Sequence, residues 1–395
     1  MFSIWEKWLD NFRLIVSNSC VAVRSLFKKA YKFQEKDSSI VEFYLVDAFE
    51  IYHFLPLYYY FEKNEIQALF VAEKPKRKKA WFNYDEAICI LEKNGVRYKT
   101  KPNYDVDYVF TTQAESNIRN YKHKKIHMCY GVGLHKGSFS ESFQSINGFD
   151  LKLVHGNISY DIVKKLNPNL TVIKMGYLRY TDWGQKKYIY DISQKQDLIS
   201  CKNKNNKPIL LYFPTWDINS SICKYADAFS HLRDKFFIIT KAHHCTFRLG
   251  SEEEHRRILN NISDIILEGN YSFEEAAKLS NFAICDAISG AATEVPYLNR
   301  DVKLILLKSP IEEKNHFKDF FDKYACCVSD SASLINAVDR LTRCDPYCET
   351  RRAILKELYA EDSNYGLEQI KEYINENCSK PKFSNKSRSV LLCKR

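Results

Sequence analysis

Short apolar runs alternate with helical stretches from about residue 40 to residue 377, and this alternation limits the chain to few folds. Runs such as VEFYLVDA, IQALFVAE and YDVDYVFTT are typical of buried strands, whereas EAICILEKNG is typical of a helix that ends at Gly95. A strand–helix–strand rhythm predicts a parallel sheet with helices on both faces. The sequence therefore predicts the α/β class.

A polar stretch, SQKQDLISCKNKNNKP, interrupts this pattern at residues 193–208, and a second series of strands and helices follows it. That series includes PILLYFPTWD, FFIITKAHH, FAICDAISGAATEVPYLN and VKLILLK. A chain of 395 residues that is 45% hydrophobic exceeds one ordinary core. We predict two Rossmann-like domains that face each other across a cleft, at residues 34–192 and 209–378, with residues 193–208 as the linker.

The two ends of the sequence are basic. Residues 1–33 carry apolar side chains at helical spacing among lysines and arginines, and residues 379–395 form a basic tail. The first pattern fits a helix on an anionic bilayer surface and equally a helix packed on the protein's own core. No window of about 18 uncharged apolar residues predicts a membrane span. We expect a cytoplasmic protein held peripherally at the inner face of the cell membrane.

The charge balance and the cysteine pattern limit which partners and metals the sequence predicts. Lysine and arginine outnumber aspartate and glutamate by 59 to 49, which favours an anionic partner, but the basic residues are spread out and predict no nucleic-acid partner. The thirteen cysteines follow no secretory signal and are expected to be reduced. Four of them, Cys326, Cys327, Cys344 and Cys348, lack the spacing of a zinc site, and we predict no essential metal and no cofactor.

Three polar loops follow strands of the second series: PTWDINSS, KAHHC and CDAISGAATE. Parallel strands bring such loops to one edge of the sheet, where α/β folds bind ligands. In the third loop, Asp286, Ser289, Gly290 and Thr293 precede or begin a helix, and hydroxyls with helix N-terminal amides can hold a phosphate. Glu294 could accept hydrogen bonds from a ribose. The alternative is that Ser289 and Thr293 only cap the helix.

Together these loops resemble the CDP-glycerol glycerophosphotransferase family of teichoic acid and capsule synthesis. The positions that match the family pattern are Pro214, Thr215, Trp216, Lys241, His243, Asp286, Ser289 and Glu294, with Gly176, Tyr177 and Arg179 in the upstream segment MGYLRYTD. Gly290 stands where a second serine is usual, and His244 stands where proline is usual. The likeness covers roughly residues 100–310. It implies a GT-B fold and transfer of a polyol phosphate.

The resemblance fails in one place. The family usually has a His-Gly pair in an N-terminal glycine-rich loop, whereas this chain reads CYGVGLHKG, with Tyr130 before Gly131. His127 and His135 flank the position, and either could substitute. The resemblance favours His135 as the acceptor base, and imidazole has a suitable pKa for this role.

The resemblance implies that the leaving phosphate of a nucleotide-diphosphate donor is stabilised by fixed donors. The residues assigned to donor or phosphate binding are Arg179, Thr215, Lys241, Asp286, Ser289, Gly290 and Glu294. His243 is assigned a catalytic role, binding or protonating the phosphate. The expected donor is CDP-glycerol or a similar compound, and the expected acceptor is a lipid-linked or membrane glycan. The alternative is a GT-B glycosyltransferase that uses a nucleotide sugar.

Overall fold

A seven-stranded sheet, called here the first sheet, forms the N-terminal part of the computed structural model, which describes residues 40–74, 83–113, 116–132, 148–185, 199, 202–267, 273–308 and 318–377. Its strands are β1 (Val41–Tyr44), β2 (Ala68–Val71), β3 (Tyr98–Lys99), β4 (Tyr108–Thr111), β5 (Lys124–Met128), β6 (Leu151–Val154) and β7 (Thr171–Lys174). The described strands pair in parallel in the order β3-β2-β1-β4-β5-β6-β7.

The second sheet has six strands among the described residues. They are β8 (Ile209–Phe213), β9 (Phe237–Thr240), β10 (Ile265–Ile266), β11 (Phe282–Asp286), β12 (Lys303–Leu307) and β13 (Cys326–Val328). They also pair in parallel, in the order β10-β9-β8-β11-β12-β13. Two parallel sheets are what the alternating sequence pattern predicts.

Helices connect the strands and cover the faces of both sheets. In the described part of the chain the α-helices are α1 (Ile51–Lys63), α2 (Tyr84–Lys93), α3 (Asn157–Leu166), α4 (Asp182–Gln185), α5 (Ile222–Leu232), α6 (His244–Arg248), α7 (Glu253–Ile262), α8 (Glu274–Leu279), α9 (Ala291–Leu298), α10 (Lys318–Tyr324), α11 (Ser331–Arg343), α12 (Cys348–Leu358) and α13 (Ser363–Asn377). Short 3-10 helices occur at Ala48–Glu50, Ser116–Asn120, Leu178–Tyr180, Asp217–Asn219 and Gly250–Glu252. No described helix is long and apolar enough to cross a membrane.

Strands buried on both faces explain the continuous apolar runs of the sequence. On β1, Phe43 is fully buried, and its ring lies 5.1 Å from that of Phe54 in α1 and 5.2 Å from that of Phe110 in β4. Burial of each such side chain stabilises the fold by about 1.5–3 kcal/mol. The predicted strands therefore form because both faces of each sheet are covered by helices.

The C-terminal stretch of the described residues is helical with one break. It forms two helices, α12 and α13, and the break between them carries the chain from the second sheet to the first. The Ala360 N–H donates to the carbonyl of His155 at 2.8 Å, and Asp362 accepts from the backbone at the start of α13. Leu367 and Ile374 of α13 are fully buried in the core of the first sheet. The predicted domain 209–378 thus includes a helix whose packing partner is the first sheet.

Close backbone contact at this crossing requires glycine. Gly176 has a φ of +66°, and a Cβ built there would lie 2.2 Å from Ser363 Oγ. A side chain at Gly176 would therefore force the Ser363 side chain to turn and crowd the Ala360 carbonyl, and the positive φ would be strained in any residue but glycine. The predicted N-terminal helix 1–33, the predicted tail 379–395 and half of the linker 193–208 lie outside the described residues.

Candidate active site between the two sheets

Each sheet reverses its strand order at one place, and α/β proteins bind ligands at such points, beside the carboxyl ends of the strands. In the first sheet the reversal lies between β1 and β4, and we call the loops after these two strands the first switch point. In the second sheet it lies between β8 and β11, and we call the loops 214–221 and 286–290, together with the loop 241–245 after the neighbouring strand β9, the second switch point. The predicted phosphate-binding loops fall at the second.

A buried carboxylate joins the two loops of the second switch point. Asp286, the last residue of β11, is 1% exposed, and its Oδ2 accepts the N–H of Thr215 at 2.7 Å and that of Ser221 at 3.3 Å. Burial raises the pKa of Asp286 to about 6. The structure thus places Asp286 behind the loop backbone, where it fixes the position of Thr215.

A second carboxylate holds the same loop from its other end. Glu252 is 3% exposed, and it accepts the N–H of Asp217 at 3.1 Å and bonds His255 Nδ1 at 2.8 Å. Between these two anchors, the ring of Trp216 stacks on that of His243 with centroids 5.7 Å apart. The loop after β8 therefore positions one face of the His243 ring.

His243 begins the short helix α6. Its Nδ1 accepts the N–H of Cys245 at 3.2 Å, so the neutral ring carries its proton on Nε2. The His244 ring lies 4.1 Å from it, centroid to centroid. Lys241 is held at the same edge, because its N–H donates to the Tyr212 carbonyl at 2.9 Å and continues the pairing of β8 with β9. The second sheet therefore brings Lys241 and His243 beside the loop after β8.

The third predicted loop leads into α9. The Ser289 N–H donates to the Asp286 carbonyl at 2.8 Å, and Ser289 Oγ accepts the N–H of Ala291 at 3.3 Å. The Thr293 hydroxyl donates to the Gly290 carbonyl at 3.1 Å. Ser289 thus satisfies one N–H at the start of α9, whereas Thr293 donates to a carbonyl and caps no N–H, and the N-cap residue itself is Gly290. A Cβ built at Gly290 would meet no described atom within 4 Å, so its backbone faces open space.

Glu294 connects the second switch point to the segment that follows β7. Tyr177 and Tyr180 donate their hydroxyls to its two carboxylate oxygens, the second at 3.3 Å. The Arg179 guanidinium lies 5.4 Å from the centre of the Tyr180 ring and 5.9 Å from that of Tyr52. The predicted residues Arg179 and Glu294 therefore meet at the junction of the two halves.

The first switch point also contains a bridging carboxylate. Glu50 is fully buried, and its Oε2 accepts the N–H groups of Val46 at 2.6 Å and Asp47 at 3.2 Å. Its other oxygen accepts the hydroxyl of Thr112, which follows β4. Burial raises the pKa of Glu50 to about 7. Glu50 thus ties the loop after β1 to the loop after β4, as Asp286 ties the loops of the second sheet.

Asp47 reaches from the first switch point to the second sheet. Its Oδ1 accepts the N–H of Phe49 at 3.3 Å, and its Oδ2 lies 4.0 Å from His244 Nε2. Burial raises the pKa of Asp47 to about 6 and lowers that of His244 to about 4. Reasoning from the sequence missed Asp47, although its place directly after a buried strand was a signal.

Aromatic rings surround Asp47 on the side of the first sheet. The Phe49 ring packs edge-on against those of Tyr130 at 5.1 Å and His53 at 5.9 Å. The His53 ring stacks at 6.4 Å on that of Tyr177, and burial lowers the pKa of His53 well below its usual value. The stretch that departs from the family pattern therefore contributes a tyrosine to this cluster.

Of the two histidines considered for the acceptor base, the structure describes His127. His127 is on β5, where its ring packs edge-on against Phe149 at 5.2 Å, and burial lowers its pKa well below the usual value. His135 lies outside the described residues. Its catalytic assignment stays a prediction.

Metal ligands are few in the described part of the chain. There, only His243, His244 and Cys245 bring three histidine, cysteine or carboxylate ligand atoms within 4.8 Å of one another. They are successive residues, and His243 Nδ1 already accepts the Cys245 N–H, so we assign no metal to them.

Solved structures resemble this arrangement over nearly their whole length. The structure of S. aureus MnaA with UDP has a TM-score of 0.58 at 14% identity, covering 87% of this chain and 99% of that one. Anabaena Alr3699/HepE with UDP and glucose has a TM-score of 0.55 at 11% identity, covering 85% and 99%. The wall teichoic acid polymerase TagF has a TM-score of 0.52 at 12% identity, covering 92% and 97%.

The chain has the GT-B fold. This confirms the prediction of an α/β protein with two Rossmann-like halves. No protein-family model matches the chain, and no curated protein matches it in sequence. In the GT-B fold described here, the second switch point gathers Thr215, Lys241, His243, Ser289 and Gly290, and Asp47 faces His244 from the first.

Proposed function

We propose that this protein is a transferase that moves glycerol phosphate, or a related polyol phosphate, from a CDP-activated donor to a hydroxyl of a membrane-associated cell-surface glycan. The observation that carries the proposal is the set of three loops that meet at the second switch point. They present a histidine, a lysine, a serine and open glycine backbone at one sheet edge. Anionic diphosphates bind at such edges through amides, hydroxyls and fixed positive charge.

The donor-binding roles follow from the contacts of each residue. His243 offers its Nε2–H to a phosphate oxygen, because Nδ1 is occupied by the Cys245 N–H. Ser289 and the backbone at Gly290 lie at the start of α9, where the helix dipole favours a negative charge. Lys241 and Arg179 supply positive charge. Asp286 acts behind these groups by holding the Thr215 backbone.

Glu294 is proposed to receive the ribose. Its oxygens accept the hydroxyls of Tyr177 and Tyr180, which orient the carboxylate at the junction of the two halves. A carboxylate oxygen accepts more than one hydrogen bond, so these two contacts leave capacity for ribose hydroxyls. The tyrosines would then couple donor binding to the segment after β7.

A second candidate is a GT-B glycosyltransferase that uses a nucleotide sugar. It is favoured by the likeness to Alr3699/HepE, whose structure is described with UDP and glucose and also with UDP-glucose. The likeness to TagF, described as a wall teichoic acid polymerase, supports the first candidate. Both reactions need the same diphosphate-binding edge and differ in the atom attacked, which is phosphorus in the first and the anomeric carbon in the second.

The acceptor is proposed to lie at the inner face of the cell membrane. The basic segments 1–33 and 379–395 and the net charge of +10 would attract the chain to anionic lipid. Co-sedimentation with phosphatidylglycerol vesicles checks this proposal. Equal binding by the full chain and by a chain without residues 1–33 would contradict a role for the first segment.

The test of the proposed function is a donor screen with purified protein and a membrane extract as the source of acceptor. Nucleotide release is measured from CDP-glycerol, CDP-ribitol, UDP-glucose and UDP-N-acetylglucosamine. Release from a CDP-polyol supports the first candidate, and release from a nucleotide sugar supports the second. No release from any of the four donors would contradict both.

Two variants link any activity to the second switch point. His243→Ala and Ser289→Ala should each lower nucleotide release by about 100-fold, since each removes a donor to the developing charge. His231→Ala is the matched control for the first, because His231 is an exposed residue of α5. Wild-type rates in folded His243→Ala and Ser289→Ala proteins would show that the site is assigned wrongly.

A further inference from the structure

We infer that Asp47 is the base that accepts the proton from the acceptor hydroxyl, an inference that rests on the proposed transferase function. Asp47 follows β1 at the first switch point, and its Oδ2 faces His244 of the second sheet. His244 in turn packs against the ring of His243, the residue proposed to bind the donor phosphate. Asp47 is thus the carboxylate of the first sheet that stands opposite the donor-binding edge.

The two oxygens of Asp47 have different surroundings. Oδ1 accepts the N–H of Phe49 and begins the 3-10 helix Ala48–Glu50. Oδ2 lies 4.0 Å from His244 Nε2, which is longer than a hydrogen bond. Oδ1 therefore fixes the carboxylate, and Oδ2 is directed toward His244 of the second sheet, although Asp47 as a whole is only 4% exposed. We place the acceptor hydroxyl at Oδ2, on the side of His244.

The neighbouring titratable groups are less suited to this role. Both oxygens of Glu50 already accept protein donors, from Val46, Asp47 and Thr112. His53 lies among the rings of Phe49, Tyr130 and Tyr177, and burial lowers its pKa well below the usual value, which makes it a weak base. Glu50 instead orients Asp47, because it binds the Asp47 N–H directly.

The charges around Asp47 suit proton transfer near neutral pH. With a pKa of about 6, the Asp47 carboxylate is mostly ionised at pH 7. A base whose pKa lies close to the operating pH is well suited to general-base catalysis. The groups that face it are Glu50 in its own loop, His244 and Arg248 in α6, and Glu86 in α2. His244 is neutral at this pH, since burial lowers its pKa to about 4.

The step balances without any further reactant. The acceptor O–H bond breaks, its proton passes to Asp47 Oδ2, and the acceptor oxygen forms a bond to the phosphorus of the polyol phosphate. The bond from that phosphorus to the bridging oxygen breaks, and CMP leaves with the electron pair. Asp47 then returns the proton to water. With a nucleotide sugar, the same proton transfer accompanies attack on the anomeric carbon and loss of the nucleoside diphosphate.

Asp47→Asn separates catalysis from folding. Asparagine keeps an oxygen for the Phe49 N–H and is as good a helix-capping residue as aspartate, but it is not a base. We expect nucleotide release to fall by about 100-fold or more, while the affinities for CDP and UDP, measured by calorimetry, stay within about twofold of wild type. Asp105→Asn, which changes an exposed aspartate of the same half, is the matched control.

Further measurements decide the outcome. The rate of nucleotide release by the wild-type protein should rise with pH through about 6 and then level, because the base acts when deprotonated. Added formate should restore part of the activity of Asp47→Ala, because it can take the place of the missing carboxylate. Release by Asp47→Asn within threefold of wild type, or loss of activity in His135→Gln but not in Asp47→Asn, overturns the inference and leaves the proposed function standing. A wild-type protein that binds neither CDP nor UDP, or releases no nucleotide, contradicts the proposed function itself and the base with it.

Discussion

The two switch points share one device and differ in what surrounds it. At the first, Glu50 joins the loops after β1 and β4, and at the second, Asp286 joins the loops after β8 and β11. In both, a buried carboxylate accepts backbone N–H groups of the loop that follows the first strand of the sheet in chain order. The device therefore fixes loop position and does not by itself determine chemistry.

The groups around the two bridging carboxylates suit different roles. Near Asp286 lie Ser289, Gly290 with open space above its backbone, and His243, whose Nδ1 accepts the Cys245 N–H, and this set suits an anionic donor. Beside Glu50 lie a second carboxylate, Asp47, and a cluster of aromatic rings, which suits a neutral hydroxyl and its proton. Under the proposed function, the second switch point binds the anionic donor, and the first switch point accepts the proton of the acceptor hydroxyl.

The largest effects, and the strongest test of this comparison, are expected when either bridging carboxylate is removed. Asp286→Ala and Glu50→Ala each leave at least two buried N–H groups without an acceptor and should lower the free energy of unfolding by about 2–4 kcal/mol. Asp286→Ala should also weaken CDP and UDP binding by roughly 100-fold, whereas Glu50→Ala should leave nucleotide affinity unchanged and lower turnover. Calorimetry with chemical unfolding of each variant measures both effects. Equal losses of nucleotide affinity in the two variants would mean that the switch points do not have separate roles.

A smaller effect is expected at the junction. Tyr177→Phe removes one donor to Glu294 and should weaken CDP binding by about three- to tenfold, because the carboxylate that receives the ribose loses its orientation. Tyr297→Phe is the matched control, since its ring packs on Tyr177 at 5.6 Å. The difference between Tyr177→Phe and wild type should shrink when 2′,3′-dideoxy-CDP replaces CDP. An undiminished difference would assign Glu294 to some other part of the donor.

The smallest expected effect concerns the pKa of Asp47. Arg248 and Glu86 form an ion pair between the two halves, and they lower and raise the pKa of Asp47 respectively. Arg248→Met should move the rise of the rate to higher pH, and Glu86→Gln should move it to lower pH. Turnover at pH 8 should change less than about threefold in either variant, because the pair is partly exposed. If both variants shift the pH at which the rate rises in the same direction, the titration of Asp47 does not cause the observed pH dependence.

Much of the fold was predictable, because it depends on local pattern. The apolar runs at Phe43, Leu211 and Ile284 predict buried strands, and strands in one parallel sheet must bring their following loops to one edge. That rule was enough to gather Thr215, His243 and Ser289. It says nothing of side-chain direction, and so it did not place Asp286 behind its loop.

The rest depends on contacts between distant parts of the chain. The position of Asp47 after a buried strand marks it as a loop residue at the sheet edge, but its approach to His244 leaves no local signal, because the two residues are far apart in sequence. The return of α13 to the first sheet is a similar case, since its apolar side chains fit either core. The N-terminal helix and His135 stay predictions.

The central claim is that the second switch point holds the diphosphate of a nucleotide donor. A crystal structure of the protein soaked with CDP, and in parallel with UDP, tests it most directly. We expect the phosphates beside Ser289 and Gly290, within hydrogen-bond distance of His243 Nε2, and the ribose at Glu294. A nucleotide bound elsewhere, with this edge empty, would contradict the account.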